Sequence, residues 1–233
     1  MALDAAEMKK LVAEEAVKRY VKDGMNVGLG TGSTAYFAIK AIGELVAQGY
    51  DLTCVATSVR SEDLARESGI KVVDLDKVDH LDVTIDGADE VDPKMQLIKG
   101  LGGALLREKI VAAATVKEVI VADGSKKVEQ LGTKAPLPVV VLRFGHKHTK
   151  FALEQQGCKA ALRMDGDEPF VTDGGNYIYD CRFEGIANPF FLESRIDVIP
   201  GVVENGLFLN TAYDVLICDQ DGNIESMMDS LSH

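Results

Sequence analysis

Residues 5–22 place Met8, Leu11, Val12, Val17, Tyr20 and Val21 three and four positions apart, which predicts an amphipathic helix stopped by Asp23-Gly24. Met25–Leu29 follows as a short apolar strand, and Gly-Thr-Gly-Ser-Thr breaks it into a second helix over about 33–48. A strand at 52–57, a helix at 61–68 and strands at 71–73 and 81–85 come next. Leu97-Ile98 ends a further strand, before a glycine-rich turn, a helix over about 103–114 and a strand at 119–122. Strands alternating with helices of this length predict an α/β fold built on a parallel sheet covered on both faces.

After Lys127 the rhythm changes. Residues 136–142 are a β-branched run among prolines, and 147–156 read as a short helix. Residues 170–183 alternate around Asp173-Gly174-Gly175-Asn176, which signals a hairpin. Segments 214–218 and 224–227 read as strands that return to the main sheet. The expected organisation is a main sheet domain of 1–130 plus 208–233, with a small α+β domain of 131–207. Phe190, Phe191 and Leu192 exceed what so small a core can bury, so the small domain is expected to supply a subunit contact.

Composition narrows the classes. The chain has 233 residues, 46% of them hydrophobic, so a packed core is expected and wholesale disorder is excluded. No apolar run reaches the ~18 residues that a membrane span needs. Acids and bases are mixed through the first twenty residues, so no secretory signal is read there and the expected location is cytoplasmic. Cys54, Cys158, Cys181 and Cys218 are scattered and form no CxxC pair, which predicts reduced thiols and neither disulfides nor a zinc site. The net charge of −12 repels nucleic acid and anionic membrane. An anionic ligand must therefore find a local positive site made of backbone amides and a few lysines.

Four segments carry candidate chemistry. In the first, Val27–Ala35, a strand turns through glycines into a helix whose free amides suit phosphate, with Thr31, Ser33 and Thr34 adding hydroxyls around Gly32. A ligand-free turn with Ser33 as N-cap is the plainer alternative. A dinucleotide site is disfavoured, because Ser33 stands where a third glycine belongs and Thr57-Ser58 where an acid belongs. The second, Ile85–Asp92, holds Asp86, Asp89, Glu90 and Asp92 just after a strand, where open α/β sheets bind ligands. A solvated acidic turn is the ordinary reading of such a run, and the spacing does not fit a calcium loop. The third, Lys99–Ile110, combines a lysine, three glycines and Glu108, which are an oxyanion stabiliser, an anion cradle and a base. Taken alone, Glu108 reads as a surface residue in an Arg-Glu-Lys run. The fourth, Val121–Lys127, ends a strand at Ser125-Lys126. All four loops are expected at one rim of one parallel sheet. The four histidines form no ligand set, and no metal site is expected.

These residues have a family resemblance. GLGTGST, TSxxSE (Thr57–Glu62), DGADE, KGxGGALLREK, ADxSK, TDxGN (Thr172–Asn176) and PGVVExGLF (Pro200–Phe208) occur in that order along nearly the whole chain. Together they closely resemble ribose-5-phosphate isomerase of type A. The resemblance implies a Rossmann-like main domain and a homo-oligomer, with a homodimer expected and a tetramer as the alternative. It also implies a conversion of ribose 5-phosphate to ribulose 5-phosphate without metal or other cofactor. It makes Glu108 the proton acceptor, with Asp86, Asp89 and Lys99 as further catalytic positions. The substrate-binding positions it implies are Thr31, Gly32, Ser33, Thr34, Asp86, Gly87, Ala88, Asp89, Lys99, Gly100, Leu101, Gly102 and Lys126. Leu101 stands where some members carry glycine, and its amide is expected to serve equally well. Coenzyme A transferases and sugar-phosphate-sensing repressor domains resemble the same layout. The acidic N-terminal helix (Glu7, Glu14, Glu15) argues against a DNA-reading protein, and 233 residues are few for a coenzyme A transferase.

Overall fold

The structure, a computed structural model, describes residues 2–228. The elements run α1 (Ala5–Tyr20), β1 (Asn26–Leu29), α2 (Ser33–Ala47), β2 (Thr53–Ala56), α3 (Val59–Glu67), β3 (Val83–Gly87), β4 (Glu90–Val91) and β5 (Leu97–Ile98). Next come α4 (Leu105–Ala113), β6 (Glu118–Asp123), β7 (Leu137–Val141), α5 (His146–Glu154), β8 (Lys159–Leu162), β9 (Met164–Asp165) and β10 (Glu168–Pro169). The chain closes with β11 (Tyr177–Arg182), α6 (Pro189–Asp197), β12 (Val202–Asn205), β13 (Leu207–Phe208), β14 (Ala212–Cys218) and β15 (Ile224–Ser226). The fold is α/β, and it divides into two compact units.

The first unit takes the described residues up to Ala88, Arg107–Lys126 and those from Thr211 onward. Its sheet has the order β15-β14-β6-β3-β1-β2. All of its neighbours pair in parallel except the β14–β15 edge. One face buries Val27, Leu29, Val83, Ile85, Val119 and Val121 against α1 and α2, which supply Val12, Ala16, Ile39 and Ile42. Side chains alternate across a strand, so Val55 of β2 faces the other way and packs with Leu81 and Val111 of α4. Asp4 caps α1, accepting from the amides of Ala6 and Glu7, while the Glu7 carboxylate answers the Asp4 amide. Among the described residues no helix is long and apolar enough to cross a membrane.

The second unit takes Asp89–Leu106 and Lys127–Asn210. It contains an antiparallel sheet of order β12-β7-β11-β8 and a three-stranded sheet, β13-β5-β4. Its core gathers Leu137, Val139, Val141, Tyr179, Cys181 and Ile196. Residues 89–106 join this unit because β5 pairs with β4 and β13. The buried Glu90 carboxylate also accepts the amides of Gly132, Lys134 and Ala135, each at 2.6 Å. The DGADE segment is therefore divided, with Asp86–Ala88 in one unit and Asp89-Glu90 in the other.

Three expectations need correction. Residues 71–73 do not form a strand, and only an isolated bridge joins Val72 to Cys54. Asp173–Asn176 does turn, but no hairpin surrounds it: both edges of β11 are taken by β7 and β8. The hairpin nearby is β9–β10. Finally, Leu97-Ile98 lies in the antiparallel β13-β5-β4 sheet, so of the four candidate loops those after β1, β3 and β6 share the parallel rim and the one after β5 does not belong to that sheet.

Candidate active site

In the first unit the turn after β1 is built around Asp86. A Cβ on Gly30 would lie 2.3 Å from the Asp86 Oδ1, so only glycine lets the two strands end this close. Asp86 is 0% exposed, and its Oδ1 accepts the amides of Thr31 (3.0 Å) and Gly87 (2.7 Å). The Thr31 hydroxyl meets the hydroxyls of Thr57 (2.7 Å), Ser58 (2.8 Å) and Ser61 (3.2 Å), and Ser61 donates to the Gly30 carbonyl (2.7 Å). Thr31 is thus occupied in locking the turn to the loop after β2.

Gly32 reaches φ +113° and begins α2 without a side-chain cap, while Ser33 is exposed and Thr34 buried. The first amides of α2 keep their donor capacity and the positive end of the helix dipole. A cavity of about 440 Å³ opens beside Gly32 and Ser33, and Lys9 and Arg60 line it. Neither cation has an ion-pair partner among the described residues, nor does Lys126, half-buried after β6. By contrast Lys10, Lys18, Arg19 and Arg66 all face glutamates. Lys9 and Arg60 were not singled out from the sequence. Their sequence signal is weak: no acid stands three or four residues from Lys9 along α1, a pattern too common to choose by, and Arg60 has Asp63 three residues on.

Gly87 and Ala88 follow Asp86 and are half-buried. Glu108, on α4, is 4% exposed. The surface reading of the Arg-Glu-Lys run therefore fails at its central residue, since a carboxylate is rarely buried without a purpose.

In the second unit Lys99 is 2% exposed, and its ammonium lies 5.2 Å from the centre of the Phe208 ring. The turn that follows uses Gly100 at φ +103° and Gly103 at φ +87°, closed by the Gly103 amide on the Gly100 carbonyl (3.0 Å). Arg163, forked on Asp180, donates to the carbonyls of Gly100 (3.1 Å) and Leu101 (3.0 Å). The Leu101 amide donates to Asp89 Oδ2 at 2.9 Å, so in this structure it serves the turn. Gly102 is exposed at its tip. Each unit thus gathers its own set of expected residues: Thr31–Thr34, Asp86–Ala88, Glu108 and Lys126 in one, Asp89 and Lys99–Gly102 in the other. Among the described residues no group of three or more His, Cys, Asp or Glu could hold a metal ion.

A family model, that of ribose 5-phosphate isomerase A (phosphoriboisomerase A), matches residues 53–222. The chain belongs to the ribose 5-phosphate isomerase A family. By that membership it is an isomerase. The ribose-5-phosphate isomerase A of Gloeobacter violaceus is 50% identical over 221 residues, covering 94% of this chain and 96% of that protein. That of Dinoroseobacter shibae is 49% identical over 224 residues, covering 93% and 86%. Among solved structures, the ribose 5-phosphate isomerase of Plasmodium falciparum superposes with a TM-score of 0.92 at 38% identity, over 95% of this chain and 97% of that one. A D-ribose-5-phosphate isomerase in complex with phospho-erythronic acid superposes with a TM-score of 0.93 at 40% identity, over 96% and 99%.

Proposed function

We propose that this isomerase interconverts ribose 5-phosphate and ribulose 5-phosphate by proton transfer through an enediolate, with Glu108 as the base. The observation that carries the assignment is the burial of Glu108, together with family membership. Glu108 removes the proton on carbon 2 of the open aldose and returns it to carbon 1. The charge that develops on the substrate oxygen needs a fixed cation, and the buried Lys99 is assigned that role. The furanose must first open. Asp86 is fully buried and already accepts two amides, so the half-buried Asp89 is the more accessible carboxylate for the hydroxyl proton. Phosphate is assigned to the uncapped start of α2 at Gly32–Thr34, with Lys126, Lys9 and Arg60 supplying positive charge. Gly87, Ala88, Gly100, Leu101 and Gly102 are assigned to the walls of the substrate site. In this reading the chemistry needs no cofactor. A ketopentose assay on the purified chain in EDTA tests it: sustained formation of ribulose 5-phosphate is expected, and activity that appears only after magnesium or zinc is added would overturn the metal-free route.

The same reading places the enzyme in the cytoplasm as a homo-oligomer, where it serves pentose phosphate metabolism. Four free buried cysteines suit a reducing compartment. Phe190 and Phe191 on α6 are 46% and 62% exposed, an apolar pair suited to a second copy of the chain. Sedimentation of a Phe190→Asp, Phe191→Asp variant is expected to show smaller particles, and an unchanged assembly would remove α6 from the contact.

A further inference from the structure

β2 is the edge of the six-stranded sheet. Its residues alternate in the direction of their hydrogen bonds. The amides of Thr53 and Thr57 reach inward, to the carbonyls of Met25 (3.2 Å) and Leu29 (3.0 Å) on the β1 side. Cys54 faces outward: its amide donates to the Lys71 carbonyl and its carbonyl accepts from the Val73 amide, both at 2.9 Å. Ala56 is the next outward position, but the 71–73 segment has no further bridge to offer it. A strand carbonyl at such an edge needs another donor. Arg107 supplies it, with Nη2 3.0 Å from the Ala56 oxygen.

The donor comes from the helix that carries Glu108, one residue before it. Arg107 and Val111 are four residues apart and so share a face of α4. Val111 packs on Val55 of the same strand, β2. One face of α4 therefore rests on β2 by an apolar contact near its end and a charged hydrogen bond near its start. The helix has only nine residues, and its first turn holds Glu108. Losing the Val111 contact would loosen the whole helix. Losing the Arg107 bond would loosen mainly the turn that bears the carboxylate.

We infer that Arg107 is a positioning residue, which holds Glu108 in register by tying the first turn of α4 to the edge carbonyl of Ala56. The inference rests on Glu108 being the base. Proton transfer from carbon depends steeply on placement, and a shift of about 1 Å can cost on the order of a hundredfold in rate. A residue that acts only through placement should leave substrate affinity almost untouched. A cavity of about 110 Å³ beside Arg107, Ala56 and Ile110 gives a shorter or uncharged side chain room without a clash.

The test compares Arg107→Met, which keeps the stem, with Arg107→Lys, which keeps a donor, and runs Glu108→Gln beside them. Isomerisation kinetics and exchange of the substrate's carbon-bound proton with deuterated water are read together. Arg107→Met is expected to lower kcat by about ten- to a hundredfold with KM within about threefold of the parent, and to slow exchange in parallel. Arg107→Lys is expected to recover most of the loss. Should Arg107→Met fail to fold, Arg107→Gln takes its place, since its stem is too short to reach the carbonyl. Parental kcat in Arg107→Met overturns the inference. So does a rise in KM with kcat unchanged, which would make Arg107 a binding charge, and so does equal impairment of the lysine variant. If Glu108→Gln keeps parental turnover, the base assignment itself falls. A normal loss in Glu108→Gln with an unaffected Arg107→Met sinks only the role of Arg107.

Discussion

The Gly30–Thr34 turn of the first unit and the Lys99–Gly103 turn of the second are both glycine-rich and both carry proposed substrate contacts, yet they are held by different means. The first is fixed by neighbours in the sheet: β1 and β3 are adjacent strands, and the buried Asp86 at the end of β3 binds the Thr31 amide directly. The second is fixed from a distance, by Arg163 reaching the carbonyls of Gly100 and Leu101 and by Asp89 taking the Leu101 amide. A turn held by strand topology has few ways to shift. A turn held by one arginine and one aspartate shifts when either is lost, so the two should respond differently to mutation.

The largest effect is expected where the first turn has no slack. Gly30→Ala drives a methyl against the Asp86 carboxylate and backbone, so strand ends must separate. Overpacking of this kind typically costs about 1–3 kcal/mol in stability, and kcat/KM should fall by at least about a hundredfold. A variant with parental kcat/KM and melting temperature would show that the turn is looser than its geometry implies. Arg163→Gln probes the second turn. It removes two carbonyl contacts but leaves Asp89 on the Leu101 amide, so a loss of about tenfold in kcat/KM is expected, with melting temperature lowered by only a few degrees. A loss larger than that of Gly30→Ala would reverse the comparison. Lys126→Ala is expected to have the smallest effect, raising KM several-fold with kcat nearly unchanged, because a phosphate-holding cation binds ground state and transition state alike. A fall in kcat at constant KM would move Lys126 into the chemistry.

The same contrast explains what the sequence makes legible. The strand–turn–helix pattern at 25–48 follows from local periodicity and glycine placement, and it appears as β1 and α2. The parallel sheet is likewise written in alternating strands and helices. The pairing of β5 with β13 is not, because residues 97–98 and 207–208 meet over more than a hundred intervening positions and two-residue strands carry no pattern. Arg163 looks like any exposed arginine until Asp180 and the Gly100 carbonyl are seen beside it. Asp173-Gly174-Gly175-Asn176 misled for a related reason: its turn chemistry is local and real, but whether its flanks pair depends on β7 and β8. The burial of Glu108 was equally hidden, since Arg107-Glu108-Lys109 reads as a solvated run.

That buried carboxylate is the centre of the functional account, and Glu108→Gln tests it most directly. The substitution keeps shape and removes the base. General-base catalysis contributes ~10²–10⁴-fold, so kcat is expected to fall by at least about a hundredfold with KM within a few-fold of the parent. Exchange of the substrate's carbon-bound proton with deuterated water should fall by the same factor, because one group performs both steps. Turnover and exchange that stay near the parental rates would contradict the account, and would pass the role of base to Asp86 or Asp89.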